Sequence, residues 1–247
     1  MGKVTARGLA AAAGVLLIAA VCVRLGFWQL HRLEERRARN AMLAAALAEP
    51  VLALEGQVLR AVAEAPERFR FRRVRVSGRF DPAAALLLRG RARRGSPGVH
   101  LVTPLLLAAG DTGILVDRGW LPAADAATAD PRPYAISGPV SVVGLLHPLP
   151  PALEEDGALI RPLDGGEVAT VQRLHAGVLG SNAPAALLPV YLQRIPGEAG
   201  EDSLPLAEPI PALDEGPHLG YAFQWFSFAA IAVIGFAVVA LRGPRRR

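Results

Sequence analysis

YAFQWFSFAAIAVIGFAVVAL, residues 221–241, runs for 21 positions without a charged side chain. At about 1.5 Å rise per residue, a helix of this length crosses a hydrocarbon layer of about 30 Å. Working outward, a comparable stretch stands at the opposite end of the chain: GLAAAAGVLLIAAVCVRL, residues 8–25. An apolar helix at each end, with the rest of the chain between them, reads as a membrane hairpin. Both termini then lie on one side and the intervening chain on the other. The flanks mirror each other, with Trp28-Gln29 after the first span and Gln224-Trp225 opening the second. Amphipathic aromatics favour the membrane–water boundary. His31 and His218, each three residues from an aromatic of this belt, therefore fall at similar depth.

The charge is unevenly placed. Ten Arg fall between Arg68 and Arg94, with Asp81 the only acid among them, whereas residues 196–217 hold six acids, five Pro and no base. A basic surface suits anionic lipid, an acidic partner, heme propionates or nucleic acid. In a membrane-tethered domain nucleic acid is the poorest fit, and a solvated strand edge that blocks unwanted pairing is the plainest reading. The single cysteine, Cys22, lies inside the first span, so neither a disulfide framework nor a thiolate metal site is available. Val21 stands where a lipoprotein signal wants a small residue. No small-x-small cleavage site precedes a polar start, so the first span reads as a retained anchor. Arg242, Arg245, Arg246 and Arg247 after the second span, with Asp214 and Glu215 before it, place both termini in the cytoplasm. Arg32, Arg36, Arg37 and Arg39 on the far side of the first span argue the other way, with Glu34 and Glu35 among them at helical spacing.

Leu30, Leu33, Leu43 and Leu47 continue the first helix as an amphipathic stalk that Pro50 ends. Residues 51–66 read as loosely helical. Strand patterns follow: Val74 and Val76 alternating with Arg73 and Arg75, then residues 99–107, 114–116, 140–143 and 187–195. Asp81-Pro82, Gly95-Ser96-Pro97-Gly98, Gly110-Asp111 and Ser137-Gly138-Pro139 mark turns between them. Val168, Val171, Leu174, His175 and Val178 recur at helical spacing and predict one helix crossing the sheet. The expected architecture is a membrane protein of the α+β class. Its parts are an N-terminus over 1–7, a first span over 8–28, a stalk and connector over 29–66 and an antiparallel β-rich domain over 67–195, a small barrel or sandwich, outside the cytoplasm. A semi-rigid Pro-rich linker over 196–217, a second span over 218–241 and a basic tail over 242–247 complete it.

Enzyme signatures are sparse, and the chain is expected not to be an enzyme. The Arg93–Gly98 segment is a turn rather than a phosphate loop, no serine sits in a nucleophile elbow, and no His-x-x-x-His occurs. Glu154-Glu155-Asp156 reads as a solvated turn beside Pro150-Pro151. His100, His147 and His175 are scattered through the domain and read as structural. His31 and His218 differ because the hairpin brings them to one depth, and imidazole is the commonest axial ligand of heme iron. An interfacial site would lay an apolar macrocycle against Phe27, Trp28, Tyr221 and Phe226, with Arg24 or Arg32 facing its propionates. The plain alternatives are helix-end histidines in the headgroup region and an Arg24 that snorkels.

Four segments together resemble the Surfeit locus protein 1 family. Gly26-Phe27-Trp28-Gln29-Leu30-His31-Arg32 is similar to its Gly-x-Trp-Gln-x-x-Arg segment, and Gly98 to Leu105 to its Gly…Thr-Pro-Leu strand. Val116-Asp117-Arg118-Gly119-Trp120-Leu121-Pro122 is similar to its Val-Asn-Arg-Gly-Trp-Val-Pro signature, with Asp117 in place of Asn. His218-Leu219-Gly220-Tyr221-Ala222-Phe223-Gln224-Trp225-Phe226 resembles its His-x-x-Tyr-Ala-x-x-Trp-Phe lead-in to the second span. The resemblance implies a cytochrome c oxidase assembly factor in a bacterial plasma membrane or the inner mitochondrial membrane. It implies partners in heme a biosynthesis proteins, oxidase subunit I and membrane lipid, with heme a as the transient cofactor. It also implies His218 as the iron ligand. Tyr221, Trp225, Trp28, His31, Arg24 and Arg32 are the surrounding candidates. Arg118, Gly119 and Trp120 read as structural, and Asp117 as a charge placed to pair with Arg118. The alternative is a structural chaperone that holds nascent oxidase subunits without heme.

Overall fold

The computed structural model describes residues 6–108, 112–153, 157–163, 166–180, 186–197 and 203–242. The Gly110-Asp111 turn, the acidic triplet 154–156 and the tail beyond Arg242 lie outside them. In chain order the elements are α1 (Ala6–Ala48), β1 (Leu52–Ala53), α2 (Gly56–Glu64), β2 (Arg73–Phe80), β3 (Leu86–Arg93), β4 (Ser96–Leu107), β5 (Thr112–Pro122), β6 (Pro139–Pro148), β7 (Leu159–Leu163), β8 (Gly166–Val171), β9 (Ala186–Arg194) and α3 (His218–Arg242). They divide into two compact units, Met1–Ala44 with Ala212–Arg247, and Ala45–Pro211.

In the first unit, α1 and α3 are long and apolar enough to cross a membrane. No proline interrupts α1, which runs through the expected stalk and stops two residues short of Pro50. The helices pack antiparallel along a narrow seam. Ala19 and Cys22 meet Trp225 and Ala229 at one end. Gly26 lies against the Phe226 ring. Arg36, Arg37 and Asn40 bond to Asp214 and Glu215 at the other end. The α1 positions 19, 22, 26, 29, 33, 36 and 40 alternate steps of three and four. That is the spacing of a two-helix seam, in which small residues allow close approach.

The second unit is a closed barrel. β2, β6, β9, β5 and β4 pair in that order, and β2 closes on β4. β4 is long enough to split one edge between two partners: Leu105 to Leu107 pair with β2, and Ser96 to Val102 pair with β3. β8 and β7 continue outward from β3. Val74, Val76, Leu105, Ile114, Val116, Leu146, Val190 and Leu192 fill the barrel. A second core of Leu86, Leu88, Val102, Leu115 and Val171 lies on the other face of β4 and β5, which explains why β5 is buried along most of its length rather than alternating.

Three expectations are corrected. The sheet is mixed, because β1–β2, β3–β8 and β5–β9 are parallel pairs. No helix forms over 168–178. β8 ends at Val171, and turns with Gly177 at φ 81° carry Leu174 and Val178 into the second core and bury His175. A strand followed by tight turns buried the same residues that a helical face would have. Residues 203–208 are not a free linker. Leu206 pairs with Trp120 through two backbone hydrogen bonds of 2.8 and 2.9 Å, and Ala207 is buried. This approach needs Gly119, whose φ is 121° and whose added Cβ would stand 2.2 Å from the Leu206 carbonyl oxygen.

Candidate functional site

His218 opens α3 and turns its ring into the helix seam, where Nδ1 lies 2.9 Å from Gln29 Oε1. An amide oxygen accepts, so this contact fixes the tautomer with the proton on Nδ1. In the neutral ring Nε2 then keeps its lone pair, and it has no hydrogen bond among the described residues. Tyr221 and Trp225 follow at steps of three and seven and so share the His218 side of α3. Tyr221 is about half exposed, and Trp225 packs edge-on to Phe228 with centroids 5.9 Å apart.

Two residues beyond Gln29, His31 is only about 3 Å farther along α1 but turned about 200° around it. It faces away from His218 and pairs with Glu35 at 3.2 Å, as Arg32 does at 2.6 Å. Arg24, Leu25, Phe27, Trp28 and His31 line an open groove of about 610 Å3 on that outer side. The two histidines thus share depth without sharing a site, and Arg24, Trp28 and His31 form a second surface. Among the described residues, no group of three or more His, Cys, Asp and Glu is placed to hold a metal ion. A single imidazole with an open Nε2 suits an axial ligand to a heme, whose porphyrin supplies the remaining donors.

The chain matches the model of the SURF1 family over residues 16–230. It belongs to the SURF1 family. A SURF1-like protein of Rickettsia bellii is 29% identical over 244 residues, covering 94% of this chain and 93% of the relative. An uncharacterized SURF1-like protein of Mycobacterium bovis is 28% identical over 222 residues, covering 89% and 79%. One from Monosiga brevicollis is 25% identical over 244 residues, covering 94% and 88%. SURF1 proteins form an assembly-factor family, and membership is consistent with a role in oxidase assembly.

Two of the SURF1 segments meet at the seam, Gln29 from one and His218 from another. The other two meet in the barrel, where His100 on β4 faces Asp117 on β5 at 2.8 Å. Asp117 therefore pairs with His100 and not, as expected, with Arg118. Its other oxygen accepts from the Gly119 amide at 3.1 Å, and Glu208 reaches His100 Nε2 at 3.3 Å and Arg93 at 3.5 Å. Burial lowers the His100 pKa, but hydrogen bonds to Asp117 and Glu208 outweigh it and hold the ring at about 9. The sequence reading missed this cluster because its three members are far apart in the chain. The pairing of β4 with β5 alone would have brought two of them together.

Proposed function

We propose that this SURF1 protein is a cytochrome c oxidase assembly factor that holds heme a at the outer membrane boundary and assists its insertion into subunit I. The observation that carries the proposal is the bond from His218 Nδ1 to Gln29, which leaves Nε2 available as a ligand. A hydrogen bond to the second ring nitrogen orients and strengthens such a ligand. Tyr221 and Trp225 beside it offer apolar surface to a macrocycle. The protein receives its cargo from the heme a biosynthesis machinery of the same membrane.

In this reading α1 and α3 span a bacterial plasma membrane, or the inner membrane of a mitochondrion, with both termini in the cytoplasm and the barrel outside. The ion pairs weaken one objection to this orientation. Arg36 and Arg37, which argue against it when counted alone, are matched by Asp214 and Glu215. The Arg24–Trp28–His31 groove, facing away from the seam, is left for lipid or the oxidase subunit.

The test is a visible spectrum with pyridine-hemochrome analysis of the protein co-expressed with heme a synthesis and purified in detergent. Near-stoichiometric heme in the wild type, lost in His218→Ala and weakened in Gln29→Leu, is the expected result. A wild type without heme, from cells that make heme a, selects the structural chaperone instead.

A further inference from the structure

A cavity of about 930 Å3 opens on the barrel unit between β2, β5, β6, β9 and the returning segment that carries Ser203, Leu204 and Pro205. Among the described residues its charge is one-sided. Arg73, Arg75, Arg118 and Arg194 line it, and among the described residues no Asp or Glu does. Much of the remaining wall is apolar, including Phe80, Val140, Ile136 and Ile210.

Arg118 is the unusual member. It is 5% exposed. Its guanidinium lies 4.8 Å from the centroid of the Phe80 ring and has no hydrogen bond or carboxylate partner among the described residues. Burial and the charge of Arg194 lower its pKa to about 10, so it stays charged at neutral pH. Arg73 and Arg194 have structural work, donating to the carbonyls of Leu47 and Glu49 and of Arg118 and Pro205 respectively. Arg118 donates to none among the described residues. A buried cation without a counter-charge costs stability, and a cation–π contact offsets only part of that. Such an arrangement makes sense when the counter-charge arrives with a ligand, because the fork of a guanidinium suits a carboxylate or phosphate.

We infer that this cavity is a binding site for an anionic amphiphile, with Arg118 holding its carboxylate or phosphate and the apolar wall holding its body. The site is separate from the His218 seam and stands whether or not the protein carries heme.

The experiment is thermal unfolding of the full chain in uncharged detergent, titrated with 4-phenylbutyrate, phenyl phosphate and inorganic phosphate. The organic anions raise Tm, and inorganic phosphate, which lacks the apolar body, does so more weakly. Arg118→Gln raises Tm without added anion, because it removes the uncompensated charge. It also weakens the response to the organic anions by about tenfold or more, and Arg118→Lys retains part of it. A parallel series in phosphatidylcholine bicelles with and without phosphatidylglycerol identifies the source. A phosphatidylglycerol-dependent gain lost in Arg118→Gln marks a lipid, and a gain with soluble anions alone marks a free organic acid. The inference is overturned if no anion shifts Tm in either medium, or if Arg118→Gln responds as the wild type does.

Discussion

His100 Nδ1 and Asp117 Oδ2 lie 2.8 Å apart in the barrel wall, both nearly inaccessible to solvent. His100 sits where the family-like Gly…Thr-Pro-Leu strand crosses the Arg-Gly-Trp strand, and Glu208 closes the pair from the returning segment at 3.3 Å. As an imidazolium His100 donates from both nitrogens, so one ring bolts three stretches of chain together.

The stability of the barrel follows the charge of that ring. The His100 pKa is raised from 6.5 to about 9 on folding. Its contribution is therefore complete below pH 6.5 and is lost as pH climbs through 9. Glu208 moves the other way, lowered by its bond to His100. Its contribution is present above its ordinary 4.5 and is lost as pH falls through the depressed value. Among the described residues Asp117, Glu208, Arg93 and, through its charge on Glu208, Arg91 are the charged groups that act on the cluster. Thermal unfolding of the full chain should show its highest Tm between these limits and a steady decline toward pH 9. His100→Gln flattens the alkaline decline. A variant that declines as steeply as the wild type would place the pH response elsewhere.

Gly119 is the hinge of the same assembly. Its φ of 121° and the Leu206 carbonyl oxygen 2.2 Å from an added Cβ leave no room for a side chain. Gly119→Ala should cost about 3 kcal/mol or more and release the returning segment. Limited proteolysis near Leu206 reads this directly. Gly138, whose φ is also positive but whose added Cβ meets nothing within 4 Å, is the control that separates backbone strain from the clash.

The two apolar helices, the end of α1 before Pro50 and the β2 alternation of Val74 and Val76 were legible, because length, a helix breaker and a period of two are local signals. Of the expected small barrel or sandwich the chain forms the barrel, but the pairing that closes it was not legible. It depends on β4 dividing one edge between β2 and β3, which is a long-range pairing with no mark in the strand itself. At the seam, depth could be read from the spans, whereas the direction of each ring could not. His31 and His218 fall at one level, yet a step of two residues past Gln29 turns His31 to the opposite side. The partner of Asp117 was misread for a related reason: its neighbour Arg118 is adjacent in sequence, but successive residues of a strand point to opposite faces.

Gly26 sets how close α1 and α3 come. An added Cβ would stand 2.6 Å from the Phe226 ring, which also packs edge-on to Phe27 with centroids 5.4 Å apart. Gly26→Leu should therefore part the helices and move Gln29 away from His218. Cys22 and Ala229 belong to one cluster in that seam, so Ala229→Cys supplies a reporter. Mild oxidation should close a disulfide between residues 22 and 229, seen as faster migration on a non-reducing gel. Gly26→Leu abolishes it, and adding Phe226→Ala restores it. A crosslink that persists in Gly26→Leu would show that the seam does not depend on this contact.

At the other end of the seam the ion pairs are exposed, and their effect should be small and sensitive to salt. Arg37 donates to both oxygens of Glu215 at 2.8 and 2.7 Å. This forked geometry holds the start of α3 in one register against α1. Arg37→Glu opposes two carboxylates, and Glu215→Arg opposes two guanidinium groups. Either change should lower the yield of the 22–229 crosslink at low ionic strength, and the double exchange should recover it. High salt should shrink the difference among the variants, because a screened pair loses its attraction and a screened mismatch its repulsion. If both single variants crosslink like the parent at low salt, the register is set by the remaining seam contacts: Gly26, the Gln29–His218 bond and the bonds of Arg36 and Asn40 to Asp214.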